Sequence, residues 1–305
     1  MQYRRVGHSG LKVSALALGS RSTFVEMRQT GVREVVRAAM ECGINTFDFA
    51  DVYDNGEAER LFGYVVGEFR RQDVVIATKV GQPMSDAPFD RGLSRKHIAE
   101  SIDGALVRLQ TEYLDLYLCD GYDPETPIHE VVSVMDRLVR LGKILYWGTC
   151  CWDTAQIEAA LGAARELGCV APIVDQSPIN LLQRGGNGGA SSGPPDLGIG
   201  RMACRPLAGG VLTGKYGDGT PRASRAEIDE AFAASLNDAD LARARLLAPI
   251  AAGLGVTTGQ LALAWVLRQA GVSCAVMGAM SREQVLENAA AADLVLEPDT
   301  VAAIE

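Results

Sequence analysis

The alternation of short apolar runs with helical patterns restricts this chain more than any other feature. Runs that read as strands begin near Ala15, Ile44, Val74, Tyr113, Ile144, Ala171, Ile199 and Ser273. Between most of them apolar residues recur at helical spacing, over residues 32–41, 58–66, 96–109, 128–141 and 154–167. The last interval is longer and carries two such patterns, 239–254 and 258–269, before a final one at 283–291. Eight strands joined by helices predict an α/β fold, a closed (β/α)8 TIM barrel of parallel strands. Residues 3–13 predict two short strands around His8-Ser9-Gly10, an N-terminal β-hairpin capping the barrel floor. A chain of 305 residues is long enough for such a barrel and its core, so one domain over 1–305 is expected.

Composition narrows the partners. A net charge of −9 argues against nucleic acid or an anionic membrane, since both would repel the chain. No stretch approaches the roughly 20 apolar residues of a membrane span, and no long apolar run follows Met1-Gln2-Tyr3-Arg4-Arg5, so no signal peptide is expected. The seven cysteines are odd in number and scattered, with no zinc spacing. They predict a cytoplasmic protein with free thiols and no metal. One segment breaks the pattern: residues 185–198, rich in Gly and Pro, stand where the sixth helix belongs. An exposed, mobile loop is expected there, as a binding loop or as a gap left by drift or covered by a partner. A homo-oligomer is left open.

Two strands carry polar residues that a core does not ask for. Asp48 lies within the apolar stretch from Ile44 to Ala50, and Lys79 ends the run Val74–Val80. A buried carboxylate costs several kcal/mol unless it is paired. Successive strand ends meet around one mouth of a parallel barrel, so Asp48 is expected to hold Lys79. Lys79 would in turn lower the pKa of Tyr53, on the turn after the first of these strands, and make it a proton donor near neutral pH.

Phe47-Asp48-x-Ala50-Asp51-x-Tyr53 followed by Ala77-Thr78-Lys79 resembles the aldo-keto reductase superfamily, nearest the branch of the voltage-gated potassium channel β subunits and bacterial relatives. The likeness runs from Tyr3-Arg4-Arg5 to the last helix. It implies a (β/α)8 barrel, a nicotinamide cofactor, usually NADPH, and an Asp-Tyr-Lys-His tetrad that reduces a carbonyl. Asp48, Tyr53 and Lys79 match three of the four. The family's His falls at Asp120, at the end of the fourth strand, and His8, His97 and His129 cannot replace it by position. Asp120 leaves three readings open. Protonated, it acts as an acid or polarises an enone. Ionised, it acts as a base or draws Lys79 away from Tyr53. In the third the site is inert.

The nicotinamide end departs from the family as well. Cys150 and Cys151 stand where a Ser and an Asn hold the carboxamide, and Cys204 where an aromatic stacks on the ring, whereas Gln176 keeps an amide contact. The phosphate end is better matched. Leu207 and Gly210 fall in the pyrophosphate loop, Arg205 replaces a Ser beside it, Lys215 follows, and Arg225 matches a contact to the 2′-phosphate. Gln284, Glu287 and Asn288 match the adenosine-end motif, with Ser281 or Arg282 covering for Met280, at a helix start that favours phosphate. Arg21 and Trp152 are the expected substrate contacts. Arg21 and Arg205 together would suit an anion such as a sugar nucleotide or carboxylate, or would balance Asp120. The expected activity is NADPH-dependent reduction of a carbonyl or activated C=C bond in a small polar metabolite. The alternative is a related protein without reductase activity, either a non-redox acid–base enzyme or a cofactor-binding partner subunit.

Overall fold

The computed structural model describes residues 1–183, 197–217, 219–222 and 224–305. Two strands, β1 (Tyr3–Arg5) and β2 (Lys12–Ser14), form an antiparallel hairpin. The other strands are β3 (Leu16–Gly19), β4 (Thr46–Asp48), β5 (Val75–Val80), β6 (Leu114–Asp120), β7 (Ile144–Cys150), β8 (Val174–Pro178), β9 (Gly200–Cys204) and β10 (Val272–Met277). Among the described residues these eight close into one parallel barrel in sequence order, with β10 bonded back to β3. The sequence expectation of a (β/α)8 barrel with an N-terminal hairpin is met. The expected loop over residues 185–196 lies outside the described residues.

Burial on both faces explains why the strands read as nearly unbroken apolar runs. Along β6, Leu116 and Leu118 point into the barrel, where they join Ala17, Ala77, Val174 and Met202. Their neighbours Tyr117 and Cys119 point outward into the larger layer between strands and helices. Val6 and Val13 of the hairpin region join the inner cluster and so close the floor.

The helices are α1 (Phe24–Glu41), α2 (Glu57–Val66), α3 (Arg95–Leu109), α4 (Ile128–Arg140), α5 (Thr154–Leu167), α6 (Arg225–Ile228), α7 (Glu230–Ser235), α8 (Asp238–Gly253), α9 (Thr258–Arg268), α10 (Arg282–Ala290) and α11 (Pro298–Ile304). Reciprocal capping boxes start α5 (Asp153 with Gln156) and α9 (Thr257 with Gln260). The first helix begins eight residues before the predicted 32, with a break at Arg28, whose φ is 54°. Helices α6, α7 and α11, of four, six and seven residues, are too short to show a helical period. Among the described residues no single helix is long and apolar enough to cross a membrane.

Candidate active site

Register places the polar residues. Asp48 is the β4 partner of Ala77 on β5. Lys79, two residues on, lies on the same face one layer nearer the mouth. Its ammonium donates to Asp48 Oδ2 at 2.8 Å and to the Phe49 carbonyl at 2.6 Å. Both side chains are almost fully buried, Lys79 at 1 % and Asp48 at 3 % exposure. The other carboxylate oxygen, Oδ1, accepts from Gln176 Nε2 at 2.8 Å, so the buried charge is satisfied on both sides. Burial pushes the Lys79 pKa down, but Asp48 and Tyr53 outweigh it and raise the pKa overall. Lys79 therefore stays charged.

Tyr53 opens a single turn, Tyr53–Gly56, after β4. Asp54 and Asn55 in that turn are left-handed (φ 51° and 52°). The turn brings the phenol oxygen to 3.5 Å from Lys79 Nζ, and the Arg21 guanidinium lies 5.8 Å from the ring centre. The expected lowering of the Tyr53 pKa is not the net result. Burial raises it, Lys79 and Arg21 lower it, Asp48 and Cys150 raise it, and it settles at about 12. The phenol therefore carries its proton throughout the neutral range.

Asp120 pairs in register with Cys150, and Cys150 with Gln176, so these three share one layer at the mouth. Burial raises the Asp120 pKa against the opposing pull of Lys79. Among the described residues Lys79 makes its ion pair with Asp48 alone. That removes the reading in which Asp120 draws Lys79 from Tyr53. Gln176 gives one of its two amide N–H groups to Asp48.

The phosphate-type residues gather on the β9 side. The loop after β9 contains left-handed Arg205 (φ 52°), Ala208 (φ 49°), Gly209 (φ 68°) and Gly210 (φ 99°). A Cβ on Gly210 would come within 2.4 Å of Lys215 Cε, so Lys215 lies directly across this turn. Leu207 precedes the turn and is partly buried against the core. A cavity of about 300 Å³ beside it is lined by Asn180, Arg205, Gly209, Arg225 and Phe232 among others. Arg225 contacts Asp229 at 3.2 Å and lies 5.1 Å from the Phe232 ring centre. Burial and the charges of Arg21 and Arg205 depress its pKa against the opposing pull of Asp229. Among the described residues neither Arg21 nor Arg205 has a carboxylate ion-pair partner. Three guanidinium groups near one carboxylate, in a chain of net charge −9, fit a phosphate-bearing ligand. The thiols of Cys150, Cys151 and Cys204, at and just after the ends of β7 and β9, are weak hydrogen-bonding groups by comparison.

At the adenosine-type end, Ser281 caps α10 through the Gln284 amide, and Gln284 Oε1 accepts from Met280 N at 2.8 Å. Arg282 pairs with Glu41 at 2.7 Å. Asn288 is buried beneath, against Met277, and Glu287 receives a bond from Gln260 on its carbonyl. Trp152 differs from expectation. It is completely buried, edge-on to Tyr122 at 5.0 Å, with no partner for its indole nitrogen among the described residues. Sequence reasoning missed Asp229, which orients Arg225, and Asn180, which holds the Arg205 carbonyl at 3.1 Å. The i,i+4 spacing of Arg225 and Asp229 was the signal available for the first. Among the described residues no group of three or more His, Cys, Asp or Glu is placed to hold a metal ion.

Comparison with known proteins agrees with the barrel fold. The sequence model of the aldo/keto reductase family matches residues 15–305. A probable voltage-gated potassium channel subunit beta of Oryza sativa subsp. japonica is 40% identical over 322 residues, covering 100% of this chain and 96% of the relative. A protein of the same description from Arabidopsis thaliana is 41% identical over 309 residues, covering 97% and 92%.

Proposed function

Because the chain belongs to the aldo/keto reductase family, we propose that it is an NADPH-dependent oxidoreductase reducing a carbonyl, or an activated C=C bond, of a small polar metabolite. The observation that carries this reading is the buried Asp48–Lys79 pair held against the Tyr53 hydroxyl. A barrel needs no such array for stability, since buried ion pairs are often replaceable by apolar residues.

The nicotinamide, when bound, supplies the hydride. Tyr53 donates a hydrogen bond to the substrate oxygen and then its proton. A pKa of about 12 suits this task, because a developing alkoxide is a far stronger base, comparable to hydroxide, whose conjugate acid lies near 15.7. Lys79 remains charged beside the phenol and stabilises the phenolate that the transfer leaves. Asp48 and Gln176 keep Lys79 in place. Asp120 takes the position of the family's His as a carboxyl that burial favours in its protonated form. In that form it donates a second hydrogen bond to the substrate oxygen. Arg205, Lys215 and Arg225 bind the phosphates, and Arg225 selects the 2′-phosphate. Ser281, Arg282, Gln284, Glu287 and Asn288 hold the adenosine end. Arg21 at the rim favours an anionic substrate, a carboxylate or a sugar nucleotide.

A second reading has its own support. Relatives sharing some 40% of residues are described as probable channel subunits, and thiols occupy the nicotinamide end. A partner subunit that binds the cofactor without turning it over, or a barrel doing non-redox acid–base chemistry, fits those two facts. Titration with NADPH and NADH, followed by tryptophan quenching and by oxidation at 340 nm with a panel of carbonyls and enones, separates the readings. Selective NADPH binding with turnover supports the reductase. Binding without turnover supports the partner subunit, and binding of neither nucleotide removes the cofactor from the account.

A further inference from the structure

The turn that carries Tyr53 is strained. Asp54, Asn55 and Gly56 are left-handed in succession, with φ of 51°, 52° and 78°. Such a run persists only where its surroundings over-determine it. Ahead of the turn, Asp51 gives its N–H to the Lys79 carbonyl at 3.3 Å, and its carboxylate Oδ2 accepts from Ser101 Oγ at 2.5 Å. Ser101 lies on α3. Behind the turn, Glu59 on α2 accepts from Thr78 Oγ1 and from Arg108 Nε, each at 2.6 Å. Thr78 is the residue before Lys79 on β5, and Arg108 lies on α3. Arg108 also lies against the turn itself, since a Cβ on Gly56 would come within 2.5 Å of its Cδ. The strand of Lys79 and helix α3 therefore hold the Tyr53 turn at both ends. The two anchors differ in cost. Glu59 is fully buried but ion-paired with Arg108. Asp51 is 2 % exposed and, among the described residues, has no ion-pair partner. Burial raises its pKa, the Ser101 hydrogen bond opposes the rise, Glu59 adds to it, and the value settles at about 7. A buried carboxyl without a counter-ion costs stability, and a barrel does not ask for one here.

We propose that Asp51, tethered to Ser101, is a positioning residue that holds the Tyr53 hydroxyl against Lys79, a role that rests on the reading of Tyr53 as the acid. Only Val52 separates Asp51 from Tyr53, so a shift of Asp51 relative to α3 moves the phenol with it. The phenol oxygen stands 3.5 Å from Lys79 Nζ, at the outer limit of a hydrogen bond. A further displacement breaks that contact. A misplacement of about 1 Å at a reacting group costs on the order of 10²-fold in rate. Asp51 itself is buried, so its loss should slow turnover and spare substrate affinity.

The test combines kinetics with a readout that needs no turnover. Asp51→Ala removes the tether and the buried charge together, so its Tm should move by less than about 2 °C. With saturating NADPH and the panel of carbonyls and enones, its kcat should fall about 10–100-fold with KM unchanged. Asp51→Asn keeps an acceptor for Ser101 without the charge and should restore most of the rate. Ser101→Ala should show the same loss as Asp51→Ala, and the double variant no further loss, because the two residues act as one tether. The second readout is hydrogen exchange of the Tyr53 amide in the resting chain, followed by mass spectrometry. That amide is bonded to the Ala50 carbonyl at 3.1 Å. Its exchange should quicken about tenfold in Asp51→Ala and in Ser101→Ala, and stay at the wild-type rate in Asp51→Asn. A wild type without turnover would count against the reductase reading alone, and exchange would then decide: a quickened Tyr53 amide upholds the tether, an unchanged one overturns it. With turnover present, a loss confined to KM, no rescue by Asp51→Asn, losses that multiply in the double variant, or a Tm drop beyond about 5 °C in Asp51→Ala would each overturn the proposal.

Discussion

Replacing Asp48 with alanine strands the Lys79 ammonium. Lys79 is 1 % exposed and its carboxylate partner is 2.8 Å away. The Phe49 carbonyl remains as an acceptor, but the opposite charge is gone. Removing one partner of a buried pair costs about 3–5 kcal/mol. With roughly 2.1 cal/mol/K of unfolding entropy per residue, 305 residues give about 0.64 kcal/mol/K. The loss then corresponds to a Tm drop of about 5–8 °C at pH 7. The pH dependence carries the mechanism. In the wild type the Lys79 pKa is raised above its ordinary 10.5. Its stabilisation is therefore complete below pH 10.5 and lost as pH rises through the higher folded value. In Asp48→Ala only the lowering by burial is left at full strength, and the folded pKa falls below the unfolded one. The unfolded chain then binds more protons, and stability rises with pH up to 10.5. Differential scanning calorimetry at pH 7, 8, 9 and 10 should show the deficit shrinking as pH rises. A drop below about 1 °C at pH 7, or a deficit that grows toward pH 10, would refute the reasoning.

Three further outcomes follow from the same geometry. Gln176→Leu deprives the buried Asp48 Oδ1 of its donor and should cost about 1.5–3 kcal/mol in chemical denaturation; a change within error would show that water replaces the amide. Arg225→Ala should weaken NADPH about 10–150-fold, as the loss of a charged hydrogen bond does, and leave NADH unchanged, measured by fluorescence titration. An equal loss for both nucleotides would place Arg225 away from the 2′-phosphate. Burial raises the Asp120 pKa, so a rate that needs its proton should fall as pH rises through that value. Asp120→Asn should abolish this limb of the pH–rate profile, and a retained limb would assign it elsewhere.

The fold was legible because burial on both faces writes itself into β5 and β6 as nearly unbroken apolar runs. The Asp48–Lys79 pair was legible for a related reason, since a charge in such a run needs a partner and register supplies one. The Tyr53 pKa was not, because its sign depends on how deeply the ring is enclosed against how close Lys79 comes. Trp152 reads as a mouth residue from its place after β7, and only packing against Tyr122 reveals that it is buried. The loop over Arg205–Gly210 gives no periodic signal, and its left-handed turns, which set Lys215 across Gly210, are visible only in three dimensions. Cys150 and Cys151 read as ordinary strand cysteines, and only the structure shows the positive φ of Cys151 and its sulfur 3.9 Å from Cys150 Sγ.

The central claim is that this mouth transfers hydride with Tyr53 as the acid. It is tested most directly with NADPH carrying deuterium at the transferable C4 position, incubated with wild type and Tyr53→Phe and a panel of aldehydes, ketones and enones. The account predicts a reduced product carrying one deuterium from the wild type. Tyr53→Phe should form it about 10²–10⁴-fold more slowly, with NADPH affinity little changed. Saturated NADPH binding with no deuterium in any product, or an undiminished rate in Tyr53→Phe, would contradict it.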